Sequence, residues 1–585
     1  MFRNYFQIAL RNFFRNRLFT LVNMSGLSLG ISAALVIFIV VHYEYSFDRF
    51  HPGDDRIFRV VGDEVNAGDR YRGPGIPLPL IGAIEKEVTG VSAMAPMILG
   101  EEPVEAKDRQ GIVFTNTDYF KLTPYTWLAG SPRTAIAAAD RVVLTAARAS
   151  TLFPGMAPEA IIGRTLTYYD SIPVTVTGVV AGLDQPTDFI FQEFLSLPTL
   201  TDARLAGHFP LKAWGARSTN YELLLQLQNG NAAATARQQL QQLLHKYAPQ
   251  LNEGNSKFRF ALEPLKDIHL SEEYGSFYGV RKAHRDGLMG LMLLGGVLLT
   301  LACINFVNLT TAQAAQRARE IGIRKTMGGS RRQLIVQFLC ETLLITAFAA
   351  IAGLLLTPLA LRVFAPFLPP GIPIGGESRP AVIAFLVGLV IGVGLLSGIY
   401  PALVLSSFEP VKVLKGQSSV ASGQTRKALL RKVLSVSQFV FAQLFLLFTL
   451  AASWQTRRLL HQDPGFRKDA VISIPLPAKN DSLKQLRFLL PGRFSRIAGV
   501  EAVSLSAEPP ASNQFSGAGL TYVDGRKTIQ TSVRLKFADT NYLRVYRIPL
   551  LAGRNVTPSD TMREVVINAT YARLLGFARP ADAVR

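Results

Sequence analysis

Five stretches of this 585-residue chain are long and apolar enough to cross a bilayer: 19–43, 287–311, 334–363, 381–405 and 432–453. A helix needs about 20 such residues to span about 30 Å of hydrocarbon. Two large polar blocks, 44–286 and 454–585, separate and follow these runs. The pattern predicts an α-helical multi-pass membrane protein, with about five transmembrane helices and α+β domains outside the bilayer. A charged fraction of only 18%, against 49% apolar residues, fits a chain that is partly embedded.

The net charge of +20 invites a nucleic-acid reading, and its placement argues against one. Sixteen Lys and Arg residues fall in three short connectors, 1–18, 315–333 and 406–432, beside only two acids, Glu320 and Glu409. Cationic connectors stay on the cytosolic side of a membrane. The N-terminus is therefore expected inside and both polar blocks outside, and the alternation closes through all five spans. Both cysteines, Cys303 and Cys340, lie in apolar runs, so the outer blocks are expected to fold without disulfides. The first run is too long for a signal-peptide core and reads as a retained signal anchor. Before it, Phe2, Phe6, Ala9, Leu10 and Phe13 share one helical face, the pattern of an amphipathic helix on the inner membrane surface.

Within the first polar block, 173–180 (PVTVTGVV) and 221–227 read as strands, and 232–247 reads as an amphipathic helix. An α+β domain is expected there, divided into two lobes near Leu128 and Thr219. The second block echoes the first. TNTDYF at 115–120 parallels ADTNYL at 538–543, and LAG at 128–130 recurs at 551–553, both at an offset of 423 residues. RVVLTAARASTLF at 141–153 parallels EVVINATYARLLG at 564–576. The run 432–453 with its basic lead-in likewise resembles 19–43 with its own. One full unit and the start of a second are expected, as in a fragment of a longer tandem protein.

Motifs for phosphate binding and for zinc proteolysis are absent: the sequence contains no G-x-x-x-x-G-K-[ST] and no H-E-x-x-H. The glycine-rich 392–398 (GVGLLSG) sits in a spanning run, where an open phosphate loop would leave polar backbone in hydrocarbon. No catalytic residue, metal ligand or cofactor is assigned. Gly394 and Gly398, like Gly26 and Gly30, are instead small-xxx-small pairs that let helix backbones approach. Glu341, inside the third run, is an intramembrane carboxylate and hence a functional candidate; its alternative role is a group that reaches the inner interface or pairs with a loop arginine. Asn305, Asn308 and Gln438 are expected to hydrogen-bond between helices. His42, Glu44, Asp48 and His51 cluster after the first run, in a spacing that fits no standard metal site.

Several longer segments carry a specific resemblance. They are 47–60 (FDRFHPGDDRIFRV), 262–270 (LEPLKDIHL), 302–311 (ACINFVNLTT), 317–332 (RAREIGIRKTMGGSRR) and 397–416 (SGIYPALVLSSFEPVKVLKG). Together they make the chain resemble the permease subunits of MacB/FtsX-type ABC transporters in their large tandem form. The resemblance implies a MacB-like periplasmic core domain at 44–286 and an FtsX-like domain at 287–405. It also implies a cytoplasmic linker at 406–431 and a second, incomplete periplasmic core at 454–585. It implies a bacterial inner-membrane location, no enzyme activity in this chain, and a separate ABC ATPase whose cycle moves the outer domain. Further implied partners are membrane lipid and a periplasmic adaptor or outer-membrane component. The implied cargo is a lipoprotein, peptide or antibiotic-like compound; the alternative is a signalling subunit that regulates an envelope hydrolase or a sensor kinase. The segment 315–333 matches the family's ATPase-coupling loop, with Glu320, Ile321, Gly322, Arg324, Lys325 and Gly328 at matching positions, and Thr326 and Met327 departing from its pattern. A helix there would dock in a partner's groove, with Glu320 paired to Arg324 one turn on and Gly328 and Gly329 ending it.

Overall fold

The computed structural model describes residues 7, 11, 17–66, 69–100, 111–169, 171–205, 208–230, 232–253, 256–275, 280–372, 380–407, 424–474, 476, 484–512, 516–525, 528–559 and 561–584. The expected amphipathic helix before residue 17 and most of the linker at 406–431 lie outside the described residues. Two units emerge: a membrane unit of 1–46 and 283–461, and a sheet unit of 47–282 and 462–585.

The principal helices, in chain order, are α1 (Arg17–Tyr45), α2 (Pro79–Glu87), α3 (Thr117–Leu122), α4 (Ala146–Leu152), α5 (Ala232–Tyr247), α6 (Arg285–Ala312) and α7 (Ala314–Thr326). They continue with α8 (Arg331–Val363), α9 (Pro380–Ser406), α10 (Gln424–His461), α11 (Lys484–Phe494) and α12 (Ala569–Leu574). Five of them, α1, α6, α8, α9 and the 432–461 part of α10, are long and apolar enough to span a bilayer. Each helix outruns its apolar stretch, because polar ends continue the hydrogen-bond ladder. At α8 the start is set by a capping box, in which Ser330 Oγ accepts from Gln333 N and the Gln333 side chain accepts from Ser330 N.

The membrane unit packs around α1, whose Leu27, Ile31 and Leu35 meet Phe306 of α6 and Ala349 of α8 in one buried cluster. Small residues let these backbones close. A Cβ on Gly30 would stand 2.7 Å from Ala302 Cβ, and one on Gly353 would stand 3.0 Å from Ser28 O. The spanning part of α10 buries none of its apolar window and meets α6 through Asn308 Nδ2, which donates to Ser435 Oγ at 3.4 Å.

The strands of the sheet unit are β1 (Ile57–Asn66), β2 (Asp69–Gly73), β3 (Val91–Leu99), β4 (Ile112–Thr115), β5 (Trp127–Gly130), β6 (Arg141–Thr145) and β7 (Thr165–Tyr168). After them come β8 (Ile172–Val180), β9 (Glu193–Ser196), β10 (Tyr221–Leu227), β11 (Ser256–Pro264), β12 (Ser516–Val523) and β13 (Thr528–Leu535). One mixed sheet runs β11-β1-β10-β3-β4-β9-β6-β8-β5, with β2 on β1 and β7 on β8. At one end α2 and α5 cover it. Ala236, Leu240, Leu243 and Leu244 of α5 follow the spacing of a single helix face and pack on Val60, Leu223, Leu225 and Phe260. Leu224 points the other way, into a second cluster with Val113, Tyr119 and Phe194. Strand β10 is thus buried on both faces, which is why 223–225 run apolar without alternation.

The two expected lobes share this single sheet, and one of their boundaries moves. The chain leaves the first part at β4, beginning with Ile112, and returns at β10, beginning with Tyr221. The return lies beside the expected Thr219, whereas Leu128 falls inside β5. Four residues, all buried, make β4 too short to show an alternation by which it could be read.

The echo between the two polar blocks is structural as well. Thr145 caps α4 by accepting from Arg148 N at 3.3 Å, and Asn568, 423 residues on, caps α12 by accepting from Tyr571 N at 2.7 Å. Gly130 and Gly553, equally spaced, hold φ at 87° and 79°. Asn116 donates to Met94 O at 2.8 Å while Asp118 accepts from Met94 N at 3.0 Å. At the matching positions the two side-chain types are exchanged: Asp539 accepts from Leu505 N at 2.8 Å, and Asn541 donates to Val503 O at 3.1 Å. One difference stands out. Val142 and Val143 are 0% exposed, whereas their counterparts Val565 and Val566 are 60% and 46% exposed.

Candidate coupling segment

Helix α7 connects α6 to α8, and its end is built as the glycines predict. Gly328 takes φ 92°. Its N–H donates to Lys325 O at 3.1 Å and that of Gly329 donates to Arg324 O at 3.0 Å, the paired bonds of a Schellman termination. Ser330 then opens α8, so the two helices meet in a corner of four residues, 327–330.

The underside of α7 is apolar. Ile321, 2% exposed, packs with Leu334 and Phe338 of α8 and with Ala402 and Leu405 of α9. Gly322 is buried beside it. Two cations of the segment reach back to the end of α9. Lys325 Nζ donates to Ser406 O at 2.7 Å and Arg331 Nε to Ser406 Oγ at 3.5 Å, which ties α7 and α8 to the end of α9. Arg324 pairs with Glu320 at 2.5 Å along the helix, a half-exposed pair of small energetic value. Among the described residues, the apolar side chains left outward here are Ile323, 45% exposed, and Met327, 84% exposed and just past the helix end. Four residues apart, they share a face. Side chains of 314–319, with Arg317 and Arg319, lie outside the described residues.

The six family-matched positions therefore separate. Ile321, Gly322 and Lys325 hold the helix down, Gly328 shapes its end, and Glu320 with Arg324 edges it. Reasoning from sequence missed Ile323, Met327 and Ser406. Met327 did carry a signal, since it departs from the family pattern; Ser406 carried none, because its role depends on where α9 ends.

Glu341 lies ten residues into α8, about 15 Å along it. It is buried and accepts from Gln337 Nε2 at 3.2 Å. The glycine pairs each face a neighbouring helix. A Cβ on Gly26 would stand 3.3 Å from Asn305 Nδ2, one on Gly394 2.5 Å from Leu343 Cδ2, and one on Gly398 3.1 Å from Thr342 Oγ1. Gly30→Leu, placed against Ala302, is expected to overpack the α1–α6 contact at a cost of about 1–3 kcal/mol. A thermal-aggregation midpoint in detergent lowered by several degrees is the expected reading; an unchanged midpoint would show that α1 and α6 need no close approach. The four polar residues after the first span do not form one site. His42 stacks on Phe38 at 5.5 Å, while Asp48 and His51 pair at 3.2 Å inside the sheet unit. Among the described residues there is no group of three or more His, Cys, Asp or Glu that could hold a metal ion.

Comparison with known proteins agrees with this architecture. The family model described as "MacB-like periplasmic core domain" matches residues 20–243, and that described as "FtsX-like permease C-terminal" matches 292–410. The macrolide export ATP-binding/permease protein MacB of Bradyrhizobium diazoefficiens is 23% identical over 71% of this chain and 60% of its own length. The uncharacterized ABC transporter permease YvrN of Bacillus subtilis is 31% identical over 21% of this chain and 30% of its own. The chain thus spans about 60% of the length of the MacB relatives it matches. A crystal structure of the periplasmic region of MacB from Actinobacillus actinomycetemcomitans aligns with 35% of this chain and 87% of that one, at 13% identity and a TM-score of 0.24. With a core-domain match that begins in α1 and a permease match that covers α7 and α8 and continues past α9, the chain belongs to the MacB/FtsX-type family of ABC transporter permeases.

Proposed function

We propose that this chain is the membrane half of an ATP-driven machine: a separate nucleotide-hydrolysing subunit pushes on α7 from the cytosol, and the helices pass that motion to the periplasmic core. The observation that carries this reading is the junction at Ser406. A load on α7 reaches α8 through the four-residue corner and Ile321, and reaches α9 through Lys325. A helix so fastened moves two membrane helices as one, which a merely solvated basic loop could not do.

The orientation follows from the cationic connectors, with the N-terminus and α7 in the cytosol and the sheet unit in the periplasm. The motion serves export or extraction of a lipoprotein, a peptide or an antibiotic-like compound. The relatives named for macrolide export support the last of these. ATP hydrolysis belongs to the partner.

The test is a cysteine at Met327, introduced as Met327→Cys after Cys303 and Cys340 are changed to Ala. An impermeant thiol reagent is expected to modify it in inverted membrane vesicles and not in intact spheroplasts. A short bifunctional cross-linker is expected to join it to the cognate ATPase subunit. Modification from the outer face would overturn both the orientation and the coupling role.

A further inference from the structure

A buried knot of charge joins the segments that follow α1 and precede α6. Asp48, held at φ 54°, accepts through Oδ1 from Thr187 Oγ1 at 2.5 Å and through Oδ2 from Asp188 N at 3.3 Å, and its own N–H donates to Pro186 O at 3.0 Å. His51 places Nε2 3.2 Å from Asp48 Oδ1 and Nδ1 2.9 Å from Leu122 O. On the other side, His269 Nδ1 lies 2.8 Å from Asp188 Oδ1, with its ring stacked on Phe47 at 3.6 Å. Lys282 Nζ donates to Asp188 Oδ2 at 2.8 Å and to Ile268 O at 2.7 Å. Beside these, Arg59 bonds Glu222 at 2.9 Å, Glu263 at 2.5 Å and Gly275 O at 2.7 Å.

The rings of His51 and His269 meet the carboxylates of Asp48 and Asp188. Other charged groups beside them are Lys282, Arg59, Glu222 and Glu263, with the phenols of Tyr119 and Tyr125 held neutral by burial. Four carboxylates thus face two permanent cations. With Glu222 ionised the balance closes when both imidazoles carry a proton; burial raises the proton affinity of Glu222, and with Glu222 protonated it closes when one does. The geometry at His51 says the same, since both ring nitrogens face oxygen acceptors and a neutral ring has only one N–H to give. Burial pushes the Asp188 carboxyl up, and the His269 hydrogen bond and the Lys282 charge outweigh it, so this group stays ionised. Unbalanced charge in such a site is expensive.

We propose that this knot is a pH-sensitive fastening, which clamps the two membrane connections of the periplasmic core to each other when the histidines are protonated and loosens when they are neutral. The sign follows from charge: the ring protons stabilise the closed knot, so closure is favoured as external pH falls and lost as it rises. The device would make transmission from α1 and α6 to the core depend on envelope acidity, and it stands whether or not α7 meets an ATPase.

The test is hydrogen–deuterium exchange on the whole chain in lipid nanodiscs between pH 5.5 and 8.5, corrected for intrinsic exchange and read at 265–272. Wild type is expected to lose at least tenfold in protection there as pH rises, while β10 keeps its own. His269→Gln is expected to show low protection that varies less than twofold with pH. Glu222→Gln, which keeps an acceptor for Arg59 but removes one negative charge, is expected to hold protection to higher pH. Protection in wild type that is flat across the range would overturn the proposal, as would a wild-type pH profile in His269→Gln or in Glu222→Gln.

Discussion

Arg59→Met is expected to unfold the periplasmic core at moderate temperature while the spanning helices still insert. Arg59 is fully buried between Glu222 and Glu263. Burial lowers its proton affinity, and the two carboxylates more than restore it. Conversely, burial raises the proton affinity of Glu222 despite the Arg59 charge beside it. Removing the cation leaves two carboxylates in apolar surroundings, a loss of about 3–5 kcal/mol for a broken buried pair. That is a large part of the 5–15 kcal/mol by which folded domains exceed their unfolded state. The pH dependence has a definite sign. The orphaned carboxyls take up protons on folding, so the variant should be firmer at low pH and lose stability as pH rises through their raised proton affinities. Exchange protection on β1, β10 and β11 is the measurement. The triple change of Arg59→Met, Glu222→Leu and Glu263→Leu should recover most of the loss, because a well-packed apolar replacement carries no desolvation cost. Failure of Arg59→Met to lower protection would mean that water reaches this triad.

Much of this architecture was legible because it rests on local signals. An apolar run of bilayer length declares itself, and the structure adds only the polar ends of each helix. Tyr221–Leu227 and Ala232–Tyr247 were read to the residue from a strand run and a helix face. Pairing across the sheet was not legible, since β1 joins β10 and β11 from some 160 to 200 positions away and nothing local encodes that. The charge knot was hidden for the same reason: Asp48 and His51 looked like a fragment of a failed metal site until Thr187, Asp188 and His269 arrived beside them. The internal echo was half visible. Downstream of 115 it holds one offset of 423. Upstream, Gly90 after α2 matches Gly499 after α11, both at positive φ, at an offset of 409. The β12–β13 hairpin lies in the stretch where the offset changes, and that change broke the alignment. At α7 the composition was legible and the directions of the side chains were not. A basic helix suggests cations reaching for a partner, but Lys325 and Arg331 bend back to Ser406, and only the position of the α9 terminus reveals it.

Those directions separate binding from transmission at α7. Ile323→Asp with Met327→Asp is expected to abolish stimulation of the partner ATPase, by tenfold or more, and to abolish its co-purification. Both side chains are outward, so the charges should cost the fold under about 0.5 kcal/mol. In a docked groove they would bury two unpaired carboxylates, a penalty of several kcal/mol. Lys325→Ala makes the opposite change. It leaves the outward face intact and cuts the tie from α7 to Ser406, so the ATPase should still co-purify and its hydrolysis should lose its link to the membrane helices. Ile321→Asp is a poor substitute for either, because it buries a charge among Leu334, Phe338, Ala402 and Leu405 and disturbs the helix itself. Co-purification and ATPase rates of the reconstituted complex decide the matter. If the double aspartate variant binds and stimulates like wild type, the docking face is not the one that carries Ile323 and Met327. If Lys325→Ala loses binding as well, the lysine reaches the partner rather than holding α7 in place.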